Sequence, residues 1–191
     1  MGMLRSRRRK VLYALIREFM RVFGRELDGR KKLQKLMFLV EHWDLETGRI
    51  TKSSGLTGYT FKIWLYGPFC PEINRDLTDL AERGIIGERV YRYYEGSRLP
   101  KEKELPPLST YIDDGEPRTF YFYRTRGDIE VEDLGKEVLK KISVVVRTFG
   151  RMSPLNLELH VCKKLGLTPL KKMLNWGKTI DEYLSHTDET S

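Results

Sequence analysis

Three histidines and two cysteines are the side chains in this 191-residue chain best suited to metal or nucleophilic chemistry. Their spacing keeps them apart. His42, His160 and His186 stand with Cys70 and Cys162 in no C-x-x-C, H-x-x-x-H or H-E-x-x-H arrangement, so no metal site is expected. There is no G-x-S-x-G, P-loop or G-x-G-x-x-G stretch, and no Ser, Thr or Cys has the neighbours of an activated nucleophile. The expectation is a non-enzymatic protein with no catalytic residue and no cofactor. Cys70 precedes a helix start, a place that can favour a thiolate, but a packed thiol is the stronger reading; both cysteines are expected to be reduced and buried. Asp113-Asp114 and the acids from Glu130 to Asp133 have the chemistry for Mg²⁺, yet they read better as loop solvation and helix-dipole pairing. His160 reads as a half-buried helical histidine with a backbone or carboxylate partner.

Binding chemistry is better represented. The formal net charge is +8, and Arg5, Arg7, Arg8, Arg9 and Lys10 supply +5 of it with no acid among residues 1 to 10. These cations form a basic N-terminal arm that either touches phosphate or solubilises the first helix. Further on, Arg92, Arg124 and Arg126 interleave with Tyr91, Tyr93 and Tyr121, a pattern that suits phosphate contact with base stacking. Tyr and Arg are also the residues enriched at protein-interface hot spots. Phe69, on a proline-braced corner, offers a rigid aromatic anchor for a partner, while Arg30, Lys31, Lys32 and Lys35 read first as a solvated face and second as a dock for something acidic.

Several elements must position these groups. Leu12, Leu15, Ile16, Phe19, Met20 and Phe23 define an amphipathic helix from about residue 6 to Gly24. Asp28 suits the cap of a second helix, with Leu33, Leu36, Met37, Val40 and Trp43 on its core face. The polar stretch GRITKSSGLTG predicts an exposed loop. A strand over 61–66 follows and ends at Gly67-Pro68, with Trp64 and Tyr66 expected to fill the core beneath the corner. Pro71 and Glu72 then open a helix whose stripe is Ile73, Leu77, Leu80 and Ala81 and whose stop is Gly84. ERVYRYYE and RTFYFYRTR pair as an antiparallel ribbon joined by a proline-rich, mobile loop at 96–117. Three helical stretches close the chain: one along Leu134 to Phe149, one with a Leu155, Leu159, Cys162, Leu165 stripe, and one running on from Thr168-Pro169 through Trp176 and Tyr183.

The order KLQKLMFLVEHW, then F-x-I-W-L-Y-G-P-F-C-P-E-I, then L-x-x-L-x-x-x-G-I-I resembles the Panacea antitoxin domain and the YwgA-like bacterial and archaeal proteins. The residues that carry the likeness are Lys32, Gln34 and Lys35, then Trp64, Tyr66, Gly67, Pro68, Pro71 and Glu72. The resemblance implies a compact, mostly helical domain that neutralises a partner protein. Together these readings predict a predominantly helical α+β fold, winged-helix-like, with a short central strand and an antiparallel ribbon. One globular domain at 11–185 is expected, flanked by the arm at 1–10 and a frayed tail at 186–191. With no apolar run near eighteen residues and no signal-peptide core, the expected setting is the cytoplasm, away from membranes. The first functional expectation is a protein-binding regulator; the alternative is a nucleic-acid-binding regulator using the arm and the ribbon. The helix after Pro71 is a poor groove reader, because Glu72, Asp76, Asp79 and Glu82 outnumber Arg75 and Arg83.

Overall fold

A computed structural model describes residues 2–93 and 118–188. The helices are α1 (Gly2–Phe23), α2 (Arg30–His42), α3 (Pro71–Glu82), α4 (Lys136–Phe149), α5 (Pro154–Lys164), α6 (Pro169–Leu174) and α7 (Ile180–Asp188). The strands are β1 (Leu27–Asp28), β2 (Lys62–Trp64), β3 (Gly67–Phe69), β4 (Ile86–Tyr93) and β5 (Arg118–Thr125). The fold is α+β and mainly helical. Its strands form two antiparallel sheets among the described residues, ordered β1-β5-β4 and β2-β3.

The helix α2 is the hub. Every residue from Lys32 to His42 is buried, because α4, α5, β1 and β3 pack around it. A helix covered on all sides cannot show the half-solvated stripe expected from its sequence. Asp28 is not its cap: it lies in β1 opposite Phe122, its carboxylate accepts from Lys32 Nζ at 2.7 Å, and Gly29 takes the cap position at φ 94°. The predicted loop at 48–58 is gathered onto the same helix by one buried carboxylate. Glu41 accepts from Ser53 Oγ (2.6 Å), from the Thr57 amide (2.7 Å), from Gly55 N–H and from the Thr57 hydroxyl.

Four other expectations shift. The first helix begins at Gly2, so the described part of the basic arm is continuous with α1. The strand expected over 61–66 stops at Trp64; the chain turns at Leu65-Tyr66, and Gly67–Phe69 returns as β3 in the register Lys62↔Phe69, Ile63↔Pro68, Trp64↔Gly67. Strand alternation then sends Phe61 and Ile63 inward and Trp64 outward, so Trp64 (40% exposed) and Tyr66 (55%) do not fill the core. In α5 the buried face is Leu157, Val161, Cys162 and Leu165, with Leu159 outside, one step away from the predicted phase. The last helical stretch is broken in two. Gly177, at φ 80°, leads the chain beside β2, where Gly177 N–H donates to Ile63 O, Ile63 N–H to Lys178 O and Ile180 N–H to Phe61 O. The hydrogen bonds available at the edge of β2 outweigh continued helix there.

The ribbon pairs as predicted, from Ile86↔Thr125 to Tyr93↔Arg118, and β1 adds a third strand on the far edge of β5. The loop expected at 96–117 lies outside the described residues.

Candidate protein-docking groove

The groups that looked like surface chemistry in K-x-Q-K turn out to be clamps on the corner. Gln34 Nε2 donates to the Cys70 carbonyl at 2.8 Å, and its Oε1 accepts from the Cys70 amide at 3.1 Å. Lys35 Nζ donates to the Pro68 carbonyl at 2.7 Å. Lys32 turns the other way, to Asp28 and to the Gly150 carbonyl at 3.2 Å. Two polar side chains on one buried helix, Gln34 and Lys35, thus satisfy backbone groups that a tight β3-to-α3 connection leaves unpaired. Gly67 permits the close approach: at φ 77°, a Cβ there would sit 2.7 Å from Cys162 Sγ. Pro71 starts α3, and the Glu72 carboxylate accepts from Cys70 Sγ at 3.1 Å. Burial pushes the Cys70 thiol up to about 12, with the Glu72 carboxylate adding to the shift, so Cys70 is a packed thiol.

Above these clamps lies an open groove of about 470 Å³. Trp64, Phe69 and Tyr66 of the hairpin and Trp176 from the α6–α7 link form its aromatic walls. Trp64 sits at the centre, with its ring 5.4 Å from Phe69 and 5.3 Å from Trp176, centroid to centroid. Phe69, expected at the tip of the corner, is a half-buried wall; the tip is Leu65-Tyr66. The remaining lining is cationic or neutral: Arg30, Lys31, Lys35, Gln34 and Asn74, with no carboxylate among the described lining residues. Lys31 pairs with Glu158 at 2.9 Å and places its ammonium 4.2 Å from the centre of the Tyr66 ring. Arg30 pairs with Glu88 at 2.9 Å, donates to the Tyr123 hydroxyl and stacks over Tyr121 at 4.0 Å. Lys35 is buried, its hydrogen-bond acceptor among the described residues is the neutral Pro68 carbonyl, and desolvation lowers its pKa to about 8.

The groove continues onto an apolar shoulder. Seven of the eleven large apolar side chains exposed among the described residues belong to this corner: Trp64, Leu65, Tyr66, Leu170, Met173, Leu174 and Trp176. α6 buries none of its residues, and Lys172 ties it to the hairpin through the Leu65 carbonyl at 2.8 Å. Concentrations of exposed apolar surface of this kind mark interaction sites. The sequence did carry a signal for this corner. From Leu159 to Thr179 there are five lysines and no acid, while Leu170, Met173 and Leu174 supply more apolar side chains than a six-residue helix needs.

The other predicted binding residues do not join this groove, Tyr121 apart, which meets it through Arg30. In α1, Arg8 pairs with Asp76 at 3.3 Å, Arg9 with Asp76 and with Asp79 at 3.0 Å, and Lys10 with Asp133 at 2.6 Å. Three cations of the expected phosphate-binding arm are therefore engaged with acids of the fold itself, two of them with the acidic helix α3. Arg7 is exposed on the same helix; the side chain of Arg5 lies outside the described residues. On the ribbon, Arg124 approaches Glu26 at 3.8 Å, as Arg89 does at 2.6 Å, and Arg126 is exposed beside Gly87. Tyr91 is half-buried, edge-on to Phe122, while the side chains of Arg92 and Tyr93 lie outside the described residues. His160 packs against Phe149 and Trp43, and burial lowers its pKa; its buried Nε2 has no hydrogen-bond partner among the described residues, where a backbone or carboxylate partner was expected. Among the described residues no group of three His, Cys, Asp or Glu side chains is placed to hold a metal, and no helix is long and apolar enough to cross a membrane.

Residues 33–164 match the family described as Antitoxin SocA-like, Panacea domain. The match covers more than half of the chain, and the chain belongs to that family. Comparison with curated proteins and with solved structures returns no match.

Proposed function

We propose that this member of the Antitoxin SocA-like, Panacea family is a non-enzymatic regulator that holds and neutralises a partner protein, and that the groove walled by Trp64, Phe69, Tyr66 and Trp176 is where the partner docks. The observation that carries the reading is the gathering of exposed apolar side chains at one corner, on a hairpin fixed from below by Gln34 and Lys35. A rigid aromatic platform loses little entropy on binding, which is what a protein hot spot requires. The fold's own acids work against the nucleic-acid alternative. α3, the helix a winged-helix module would send into a groove, uses Asp76 and Asp79 to pair with Arg8 and Arg9. Duplex binding needs those cations for phosphates.

The test is to co-express the chain with the product of the reading frame beside its gene. Rescue of growth from a toxic neighbour, with recovery of a stoichiometric complex, supports neutralisation. Sub-micromolar binding of duplex DNA that weakens steeply with salt, by about 0.9 log units per log unit of salt for each phosphate contacted, favours the alternative instead.

A further inference from the structure

The lining chemistry narrows the partner further. The groove presents three cations and no carboxylate among the described lining residues. Arg30 and Lys31 stand in the first turn of α2, which contains no acid, and its N-cap position makes no side-chain hydrogen bond. Cations at the positive end of a helix dipole repel it, so this end of α2 is electrostatically incomplete. Glu88 and Glu158 answer Arg30 and Lys31 from outside the lining; the buried Lys35 ammonium feels the Glu158 charge at longer range, and its hydrogen-bond acceptor among the described residues is the neutral Pro68 carbonyl. Around this edge Lys171, Lys172 and Lys178 extend the positive surface across α6 and the link that follows. The volume is right for one or two large side chains, not for a folded domain.

We propose that the groove takes an acidic segment of the partner protein with a large apolar anchor: the anchor enters between Trp64, Phe69 and Trp176, and a neighbouring carboxylate meets Lys31 at the rim, in the field of the buried Lys35 beneath it. The inference rests on the docking reading above and adds the chemistry of the segment that docks. Aromatic walls supply affinity through burial, and the cations select the sign of the flanking charge.

The experiment is selection from a random dodecapeptide library displayed on phage against the full chain, with counter-selection on Trp64→Ala/Trp176→Ala. The expected consensus is a Trp, Phe or Leu flanked by Asp or Glu. Synthetic copies are then titrated by fluorescence anisotropy. Replacing their acids by Asn or Gln should weaken binding at least tenfold, and Lys31→Glu should weaken the acidic peptides tenfold while leaving the amide versions unchanged. Lys31 is a half-exposed rim residue, so Lys31→Glu, with Lys31→Gln as the variant that adds no charge beside Glu158, keeps the test sound even if Lys35→Met fails to fold. A consensus that is neutral or basic, or peptides that bind Lys31→Glu as well as the wild type, overturns the acidic segment. A library that yields no groove-dependent peptide, while the co-expressed partner still loses binding with Trp64→Ala/Trp176→Ala, overturns the segment and leaves the docking site standing. If the partner is insensitive to those two tryptophans as well, both proposals are wrong.

Discussion

Gly67→Ala probes the joint on which the corner depends. Gly67 sits at φ 77°, in the left-handed region, and a methyl group placed there would lie 2.7 Å from Cys162 Sγ and 3.9 Å from Lys35 Nζ. Two separate costs follow. Holding a non-glycine residue in a sparsely populated backbone region costs about 1–3 kcal/mol. Forcing a methyl against a packed neighbour costs roughly another 1–3 kcal/mol, because Cys162 is buried on α5 and cannot swing into solvent. The sum, about 2–6 kcal/mol, is a large part of the stability of an ordinary domain, roughly 5–15 kcal/mol. At about 2–4 °C per kcal/mol for a chain of this size, the melting temperature should fall by roughly 4–24 °C. A double-mutant cycle with Cys162→Ala separates the two costs, since the smaller side chain removes the collision and leaves the backbone strain. The double variant should be about 1–3 kcal/mol more stable than the two single effects predict by addition. Urea denaturation with matched m-values measures the cycle. An unchanged melting temperature for Gly67→Ala refutes the description of the turn; strict additivity refutes the contact with Cys162.

Three further outcomes are expected. Burial lowers the folded-state pKa of Lys35 to about 8, so above that pH the unfolded chain holds a proton that the folded one has released, and stability contributed by this group rises with pH. The stability of the wild type relative to Lys35→Met should therefore improve by about 1 kcal/mol between pH 8 and pH 9, read from denaturant curves; a flat difference would mean Lys35 is not desolvated. Glu41→Gln should cost about 2–4 kcal/mol and expose residues 48–58 to protease, because one carboxylate gathers Ser53, Gly55 and Thr57. Burial pulls the Glu41 pKa up, but the bonds from Ser53 and Thr57 outweigh it and hold the carboxyl below its ordinary value. Its contribution is thus present above the unfolded pKa and is lost as pH falls through the folded one, so the wild type should lose stability in acid more steeply than the Gln variant; parallel acid curves would show the carboxylate is not doing this.

What was legible in the sequence is what local chemistry decides. Pro71 with Glu72 marked the start of α3, Thr168-Pro169 marked that of α6, and the Tyr-rich alternation marked the ribbon. The K-x-Q-K and Y-G-P-x-x-P-E pieces gave the family, but not their purpose, since their meaning is a contact between residues 33 to 40 positions apart. Lysines on an apparently amphipathic helix read as solvated until the elements that surround it are known, as Lys32 and Lys35 show. Trp64 was misplaced because a six-residue apolar run does not reveal that it folds into a hairpin after its fourth residue. Trp176 was assigned to a helix for the same kind of reason: the edge of β2 competes for residues 177–180, and only the tertiary arrangement brings that edge near. The groove joins these misread residues, so pattern reasoning found its parts without finding the site.

Docking of a partner protein on the Trp64 and Trp176 platform is the proposed working mode of the chain. Both side chains are substantially exposed, at 40% and 51%, so Trp64→Ala/Trp176→Ala should leave the melting temperature within about 2 °C of the wild type. The decisive measurement is isothermal titration of the neighbouring gene's product into the wild type and into this folded double variant at two salt concentrations. Tight binding by the wild type is expected, with at least a hundredfold loss in the variant and a salt dependence much weaker than duplex DNA shows. Equal affinity for the two proteins would contradict it.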